Sequence, residues 1–403
     1  MDLPAISIVI PTLNRGEFLQ STLSSLQSQT FDDWEAWVVD DGSTDDTCDR
    51  VSQIIKLDPR IHYIRRTEGK AGAPVCRNLG TQLAKGKYII YLDSDDYLAV
   101  TALEKRFECM EAHPDLDFGV FPCILFKQQT NDMKVLLNIE SDVNDLDRFL
   151  DFDAPWQTMC PTWRRESLIK LGLWDEDLRV FQDIELHFRA VAQGLNYRRF
   201  DYPDCFWRVL HDDRLSKSAL STSRLTSHSH FFEVTIATLK EKGLLTSERR
   251  AMLGGLYFFY TDYWSYCGDR AAAHTFWAEC YDRHLINATV HRMGAFYATL
   301  SSTTQLPFAL RRVLRRLLRT VFKLTWHPKL LVKTSKTCRS VPIEADRIPV
   351  VKLRSPSPIK GDRSVAEDRI VELGAQSRAD SDSAENTVCI GLKANLYSFN
   401  NSD

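Results

Sequence analysis

The stretch WEAWVVDDGSTDDT, residues 34–47, decides how the first part of this chain is built. WEAWVVD has the aromatic and β-branched content of a short strand, and it runs straight into Asp40-Asp41-Gly42. The Ser/Thr/Asp cluster at 43–46 then offers side chains that can cap a following helix. The same order recurs on both sides. AISIVIPT (5–12) is a β-branched run, with helical periodicity following over 17–28. IHYI (61–64) is a third strand, 74–85 the next helix and YIIYLD (88–93) a fourth strand. Residues 100–112 are again helical, and DFGVFPCILF (117–126) is a further apolar strand. Strands alternating with helices imply right-handed crossovers and an α/β, doubly wound, mostly parallel sheet. Ligands of such sheets lie outside the carboxyl ends of the strands. Asp40-Asp41-Gly42 and Asp93-Ser94-Asp95 both fall at carboxyl ends, so two acidic clusters face one crevice.

The rest of the composition bounds the function. The 403 residues are 44% hydrophobic and 26% charged, enough for a large core and an ordinary polar surface. A net charge of −3 argues against bulk nucleic-acid binding. The opening MDLPAISIVIPT lacks the pattern of a signal peptide, and no run reaches the ~18 apolar residues of a spanning helix. Ten scattered cysteines suit free thiols in a reducing cytoplasm. Cys267, His274, Cys280 and His284 sit inside helical periodicity at irregular spacings, which fits core packing better than zinc.

For Asp40 and Asp41, a capped turn and a ligand role both fit the residues. The run YLDSDD is harder to explain by capping, because a cap uses one carboxylate and here there are three. A divalent cation offsets their repulsion, and oxygen ligands suit magnesium or manganese. Asp93-x-Asp95 therefore looks like half a site awaiting a diphosphate, with Asp96 left to cap the next helix. An EF-hand loop starting at Asp93 would need glycine where Leu98 stands. A haloacid-dehalogenase-like phosphatase would need Thr or Val at Tyr97, and a nucleotidylyltransferase would need a Gly-rich loop after the first strand.

ISIVIPTLNR (6–15), VVDDGSTDDT (38–47), RNLG (77–80) with AKGKYIIYLDSDD (84–96), and WDEDL with QDIELHFR (174–189) together resemble the family 2 glycosyltransferases of GT-A fold. The resemblance implies an inverting transferase that uses a nucleotide-diphosphate sugar. It maps Asp40 and Asp41 to the donor base and ribose, and Thr12 and Arg77 to donor contacts. It also maps Asp93 and Asp95 to a DxD pair that meets the donor and a divalent metal (Mn or Mg). Inversion needs a base opposite the leaving group. QDIELHFR offers Asp183 and Glu185; Glu185 precedes Arg189 by four residues, a spacing that favours a surface ion pair, so Asp183 is the preferred base. The alternative for Asp183 is a helix cap. His211, Arg214 and Lys217 resemble the basic loop that follows the base in this family, with His211 a candidate metal ligand. Leu13 stands where the family often has Tyr, and Gln182 replaces a frequent Glu. A catalytically inactive, nucleotide-binding or scaffolding relative is the competing reading.

Beyond this region the expected organisation is a GT-A domain over 1–217, a helical appendage over 218–305, a basic amphipathic helix over 306–333 and a mostly disordered tail over 334–403. RRVLRRLLRTVFK (311–323) holds six cations and no acids. At helical spacing the cations share an arc of roughly 140°, with Leu310, Val313, Leu314, Leu317, Leu318 and Val321 opposite. Two readings fit: docking on an anionic membrane surface, or an apolar side that covers the protein. The first makes a glycan or lipid-linked acceptor, and a peripheral place on the inner face of the plasma membrane, the natural setting.

Overall fold

Strands buried along nearly their whole length, packed against the apolar faces of helices, build one layered α/β unit with helices appended. The computed structural model describes residues 3–137, 140–151, 153–209, 222–302, 310, 313–314, 316–317, 320, 340–353 and 370–373. In order these form β1 (Ile6–Thr12), α1 (Gly16–Gln27), β2 (Trp34–Asp40), α2 (Thr47–Leu57), β3 (Ile61–Arg66), α3 (Ala73–Leu83) and β4 (Tyr88–Tyr91). Next come β5 (Tyr97–Leu98), α4 (Ala102–Glu111), β6 (Phe118–Val120), β7 (Cys123–Phe126), β8 (Val135–Leu137) and α5 (Asp145–Leu150). β9 (Pro161–Arg164), α6 (Arg165–Leu171), α7 (Gln182–Ala192), β10 (Tyr197–Arg199) and β11 (Cys205–Arg208) follow. The helical region is α8 (Thr222–Glu241), α9 (Ser247–Cys267), α10 (Arg270–Asp282) and α11 (Ala288–Ser301), and β12 (Ser340–Pro342) and β13 (Ile370–Leu373) come last.

The main sheet has the order β10-β6-β9-β4-β1-β2-β3-β13, and only β9 runs against its neighbours. β1 pairs in parallel with β2 from Ile6↔Trp34 to Thr12↔Asp40, and with β4 from Ile6↔Tyr88 to Val9↔Tyr91. The carboxyl ends of β1, β2 and β4 thus lie side by side. β1 and β4 are buried along their whole length, as expected of strands covered by helices on both faces. Gly80 sets how closely α3 lies on this sheet. A Cβ there would stand 2.3 Å from Val9 Cγ1, so only glycine permits the approach.

Two expectations from the sequence change here. The strand over 117–126 is two strands, because Phe121-Pro122 breaks it; β6 stays in the main sheet and β7 joins a second one. Proline lacks the N–H that a continuous ladder needs. The second sheet, β12-β8-β7-β11-β5, holds β5 against β11 in antiparallel register. The aromatic-rich stretch over about 230–300, by sequence most simply a helical hairpin, is four helices, with Phe232, Tyr257 and Phe276 at their centre. Within the tail, β12 pairs with β8 and β13 with the β3 edge; the rest of that stretch lies outside the described residues. Buried Arg106, on α4, makes two 2.7 Å bonds to Asp204 just before β11, tying the two sheets together.

Candidate functional site

The Asp40-Asp41-Gly42 turn forms because Gly42 takes φ of +92°, a left-handed conformation that side chains disfavour. Asp40 is fully buried, at 0% exposure, and both of its carboxylate oxygens are engaged. One accepts the Ser43 N–H at 2.7 Å, and the other accepts the Tyr63 hydroxyl at 2.6 Å. These bonds are those of the capped turn. Asp41 turns the other way, accepting the Gly72 N–H at 2.7 Å and pairing with Arg66, which also donates to the Lys70 carbonyl at 2.7 Å. Burial pushes the Asp41 carboxyl up, against the pull of Gly72 and Arg66. The Asp41 N–H donates to the Thr12 carbonyl at 2.9 Å, and the buried Thr12 hydroxyl has no partner among the described residues. Asn14 crosses the gap between the first two loops, its side chain accepting the Thr44 N–H at 2.8 Å.

The second acidic cluster is held by groups from three elements. Thr22 on α1 donates to the Ser94 carbonyl at 2.9 Å. Arg77 on α3 donates to Asp93 at 2.7 Å. Arg208, at the end of β11, donates from its side chain to the Asp95 carbonyl at 3.0 Å and to the Lys127 carbonyl at 2.9 Å. Its guanidinium also lies over the rings of Phe126, Tyr97 and Phe18. Asp96 is not the helix cap expected from the sequence. Its carboxylate accepts the Arg208 backbone N–H at 2.8 Å, and the residue before α4 is Thr101. One carboxylate of the three therefore braces the turn from below, while Asp93, at 28% side-chain exposure, faces the crevice. Asp95 is buried beside it. Two carboxylates one residue apart at a strand end form an oxygen donor set of the kind magnesium or manganese takes. His211, Arg214 and Lys217 lie outside the described residues.

Arg77 connects this cluster to α7. Besides Asp93 it donates to Gln182 at 3.1 Å, and its guanidinium stacks 4.4 Å from the Trp174 ring centre. Gln182 thus takes up the arginine that crosses the site. Asp183, next to it, is 9% exposed. Burial pushes its carboxyl up to about 6; the Arg77 charge opposes this and Asp93 reinforces it. Asp183 stands in the first turn of α7, but the residue that opens the helix is Phe181, with φ of +62°. Glu185 has another task. It makes a two-point pair with Arg189 at 2.6 and 3.1 Å, and this pair is buried rather than on the surface. Arg189 also holds the Leu171 and Leu173 carbonyls. His187, one turn beyond Asp183, is buried and stacked on Trp163, and its ring nitrogens have no hydrogen-bond partner among the described residues. Burial, then Arg77, pushes its pKa down to about 3, so it stays neutral.

The structure thus joins Arg77, Asp93 and Asp183, places Thr12, Asp40 and Asp41 on the neighbouring strand ends, and withdraws Glu185 into an ion pair. Tyr63, Arg66, Trp174, Gln182 and Arg208 were not identified from sequence as parts of this network. Of these, Trp174, Gln182 and Arg208 lie in segments that drew notice as motifs, Arg208 in FWRVLHDDRLSK (206–217). Asp175, Asp177 and His230 also bring ligand-type atoms within 4.8 Å of one another. Those atoms serve as a clasp: Asp175 meets His230 at 2.8 Å, and Asp177 pairs with Lys70.

Comparisons with known proteins bear on the family and the fold. Residues 7–160 match the sequence model described as Glycosyl transferase family 2. A Bacillus subtilis (strain 168) protein named for teichuronic acid biosynthesis, the glycosyltransferase TuaG, is 39% identical over 107 residues, which are 27% of this chain and 42% of that one. A Campylobacter jejuni protein named GalNAc(5)-diNAcBac-PP-undecaprenol beta-1,3-glucosyltransferase is 39% identical over 101 residues, 25% of this chain and 33% of that one. The chain therefore spans less than half the length of both relatives. Among solved structures, S. aureus TarS 1-349 in complex with UDP-GlcNAc aligns with a TM-score of 0.58 at 16% identity, covering 80% of this chain and 92% of that one. That likeness is one of fold.

Proposed function

We propose, from the premise that residues 7–160 form a family 2 glycosyltransferase domain of GT-A fold, that this chain transfers a sugar from a nucleotide-diphosphate donor to an acceptor hydroxyl, with inversion. The observation that carries this reading is the Arg77 bridge. One guanidinium holds Asp93 at 2.7 Å and Gln182 at 3.1 Å, which ties the acidic strand end to the start of α7, and the Asp183 carboxyl feels the charges of both Arg77 and Asp93. Its relatives' names add a setting, the synthesis of cell-wall and lipid-linked polysaccharides, and the acceptor proposed here is a glycan or a lipid-linked glycan.

Each residue has a role in this reaction. Thr12 and Asp41 border the donor nucleoside, and Asp40 keeps the turn that presents them. Asp93 and Asp95 would hold a magnesium or manganese ion, with His211 as a third candidate ligand, and such an ion would supply positive charge for the departing diphosphate. Arg77 orients Asp93 and adds positive charge beside the leaving group. Asp183 takes the proton of the acceptor hydroxyl. A carboxyl near 6 is ionised at neutral pH yet more basic than an ordinary aspartate, which suits general-base work. Glu185, committed to Arg189, keeps α7 in place.

A thermal-shift panel of nucleoside diphosphates with and without manganese tests the reading. One base should raise Tm only with the metal, and Asp95→Asn should remove that rise. A flat response to the whole panel would favour the scaffolding alternative.

We also place the chain at an anionic membrane surface. Supporting this, three of the four described apolar positions of the basic segment are turned outward: Leu310, Val313 and Leu317 are 50%, 55% and 59% exposed, while Leu314 is half-buried. No described helix is long and apolar enough to cross a membrane. Co-sedimentation with anionic vesicles, weakened by salt and absent with zwitterionic vesicles, is the expected result. No sedimentation with either would remove the proposal.

A further inference from the structure

The helical region grips the segment that launches the base helix. Ser227 Oγ, on α8, accepts two successive backbone N–H groups, Arg179 at 2.9 Å and Val180 at 3.1 Å. The next residue, Phe181, has φ of +62°, an uncommon backbone for a bulky side chain that persists only where the surroundings impose it. Its ring is enclosed by His228 and Phe231 of α8 and Tyr260 of α9, at centroid distances of 5.1, 5.0 and 5.6 Å. One turn along, His230 holds Asp175 at 2.8 Å. Residues 227, 228, 230 and 231 form one face of α8, and all four meet the 175–181 segment. From the opposite side, Asn78 of α3 brackets the same segment, donating to the Trp174 carbonyl at 2.9 Å and accepting its N–H at 3.0 Å.

We infer that α8 and α9 are a positioning element for the base: Ser227, with the aromatic cage around Phe181, fixes the start of α7 and so aims the Asp183 carboxylate. This rests on the reading of Asp183 as base and deepens it. A general base works only when held within hydrogen-bond reach of the proton it takes, and a small misplacement is enough to slow transfer severely. The donor side has its own supports on α1, α3 and β11, so releasing this grip should leave donor binding alone.

The test compares the full-length wild type with Ser227→Ala and Ser227→Thr, and with Phe231→Leu as a milder opening of the cage. Hydrogen exchange of peptides covering 174–186, Tm, manganese-dependent nucleotide affinity and turnover of the sugar donor are measured on each. Ser227→Ala should exchange faster at 179–181 by tenfold or more and lose about tenfold in kcat. Its nucleotide affinity should stay within twofold, and Ser227→Thr should recover most of both losses. A merely structural serine would lower Tm while leaving kcat of the folded enzyme unchanged. Unchanged exchange and kcat in both Ser227→Ala and Phe231→Leu would overturn the inference. Failure of the underlying reading looks different: the exchange signature would persist while Asp183→Asn turned over like wild type.

Discussion

The two halves of the site are held by different means. The donor half, from β1 to β5, is braced by the sheet and by groups arriving at strand ends, such as Asp40 on Tyr63, Asp41 on Gly72 and Asp93 on Arg77. The base half is a single loop and helix start, gripped by α8 and α9, which lie past the sheets in sequence, and bracketed by Asn78 and Arg77 of α3. The first half is built into the parallel sheet at the place where such sheets bind ligands. The second is attached afterwards.

If that division is right, damage to each half should have its own signature. Asp183→Asn should lower turnover about 10²–10⁴-fold while nucleotide affinity changes less than twofold. Asp95→Asn should do the reverse, abolishing the manganese-linked part of nucleotide binding, and turnover should fall on the order of 10²-fold with it. Asp204→Asn attacks the donor platform from beneath by leaving Arg106 buried without its carboxylate. It should cost about 3–5 kcal/mol in chemical unfolding, with kcat of the folded enzyme near normal. Asp96→Ala leaves the Arg208 N–H unmatched and should cost about 1–3 kcal/mol. It should also weaken the response to manganese more than it alters Asp183-dependent steps.

The pH dependence separates the halves further. Asp183 must be ionised to accept a proton, so kcat/KM should rise with pH to a plateau above about 6. The same raised pKa has a stability consequence with a definite sign. The folded state holds this proton more tightly than the unfolded chain, whose carboxyl sits near 3.8, so this group costs stability above about 6 and the cost disappears as pH falls below 3.8. Asp183→Asn should remove that contribution, and its Tm at neutral pH should equal or exceed that of wild type. His187, held neutral by burial, should add no limb of its own above pH 5.

The donor half was largely legible in the sequence because its signals are local. Strand runs, the Asp-Asp-Gly turn and the spaced aspartates each lie within about ten residues, and the alternation of strands and helices put them at carboxyl ends facing one crevice. The breaks came where partners are distant. Asp96 looked like a cap because its true partner, Arg208, lies 112 positions on. Glu185 and Arg189 were recognised as a pair by spacing, but spacing does not reveal that the pair is buried under the Leu171 and Leu173 carbonyls. Pro122 split a strand that hydrophobicity alone runs together. Ser227 carries no motif at all. Its role follows from meeting two N–H groups 47 and 48 positions earlier, which no periodic pattern encodes.

The most direct test pairs one variant with two readouts. Asp183→Asn is given the sugar nucleotide whose diphosphate stabilises the wild type, and both manganese-dependent binding and release of nucleoside diphosphate are followed. Wild-type binding with release reduced at least about 10²-fold is the predicted result. Release at the wild-type rate would contradict the assignment of the base, and with it the functional division between the two halves.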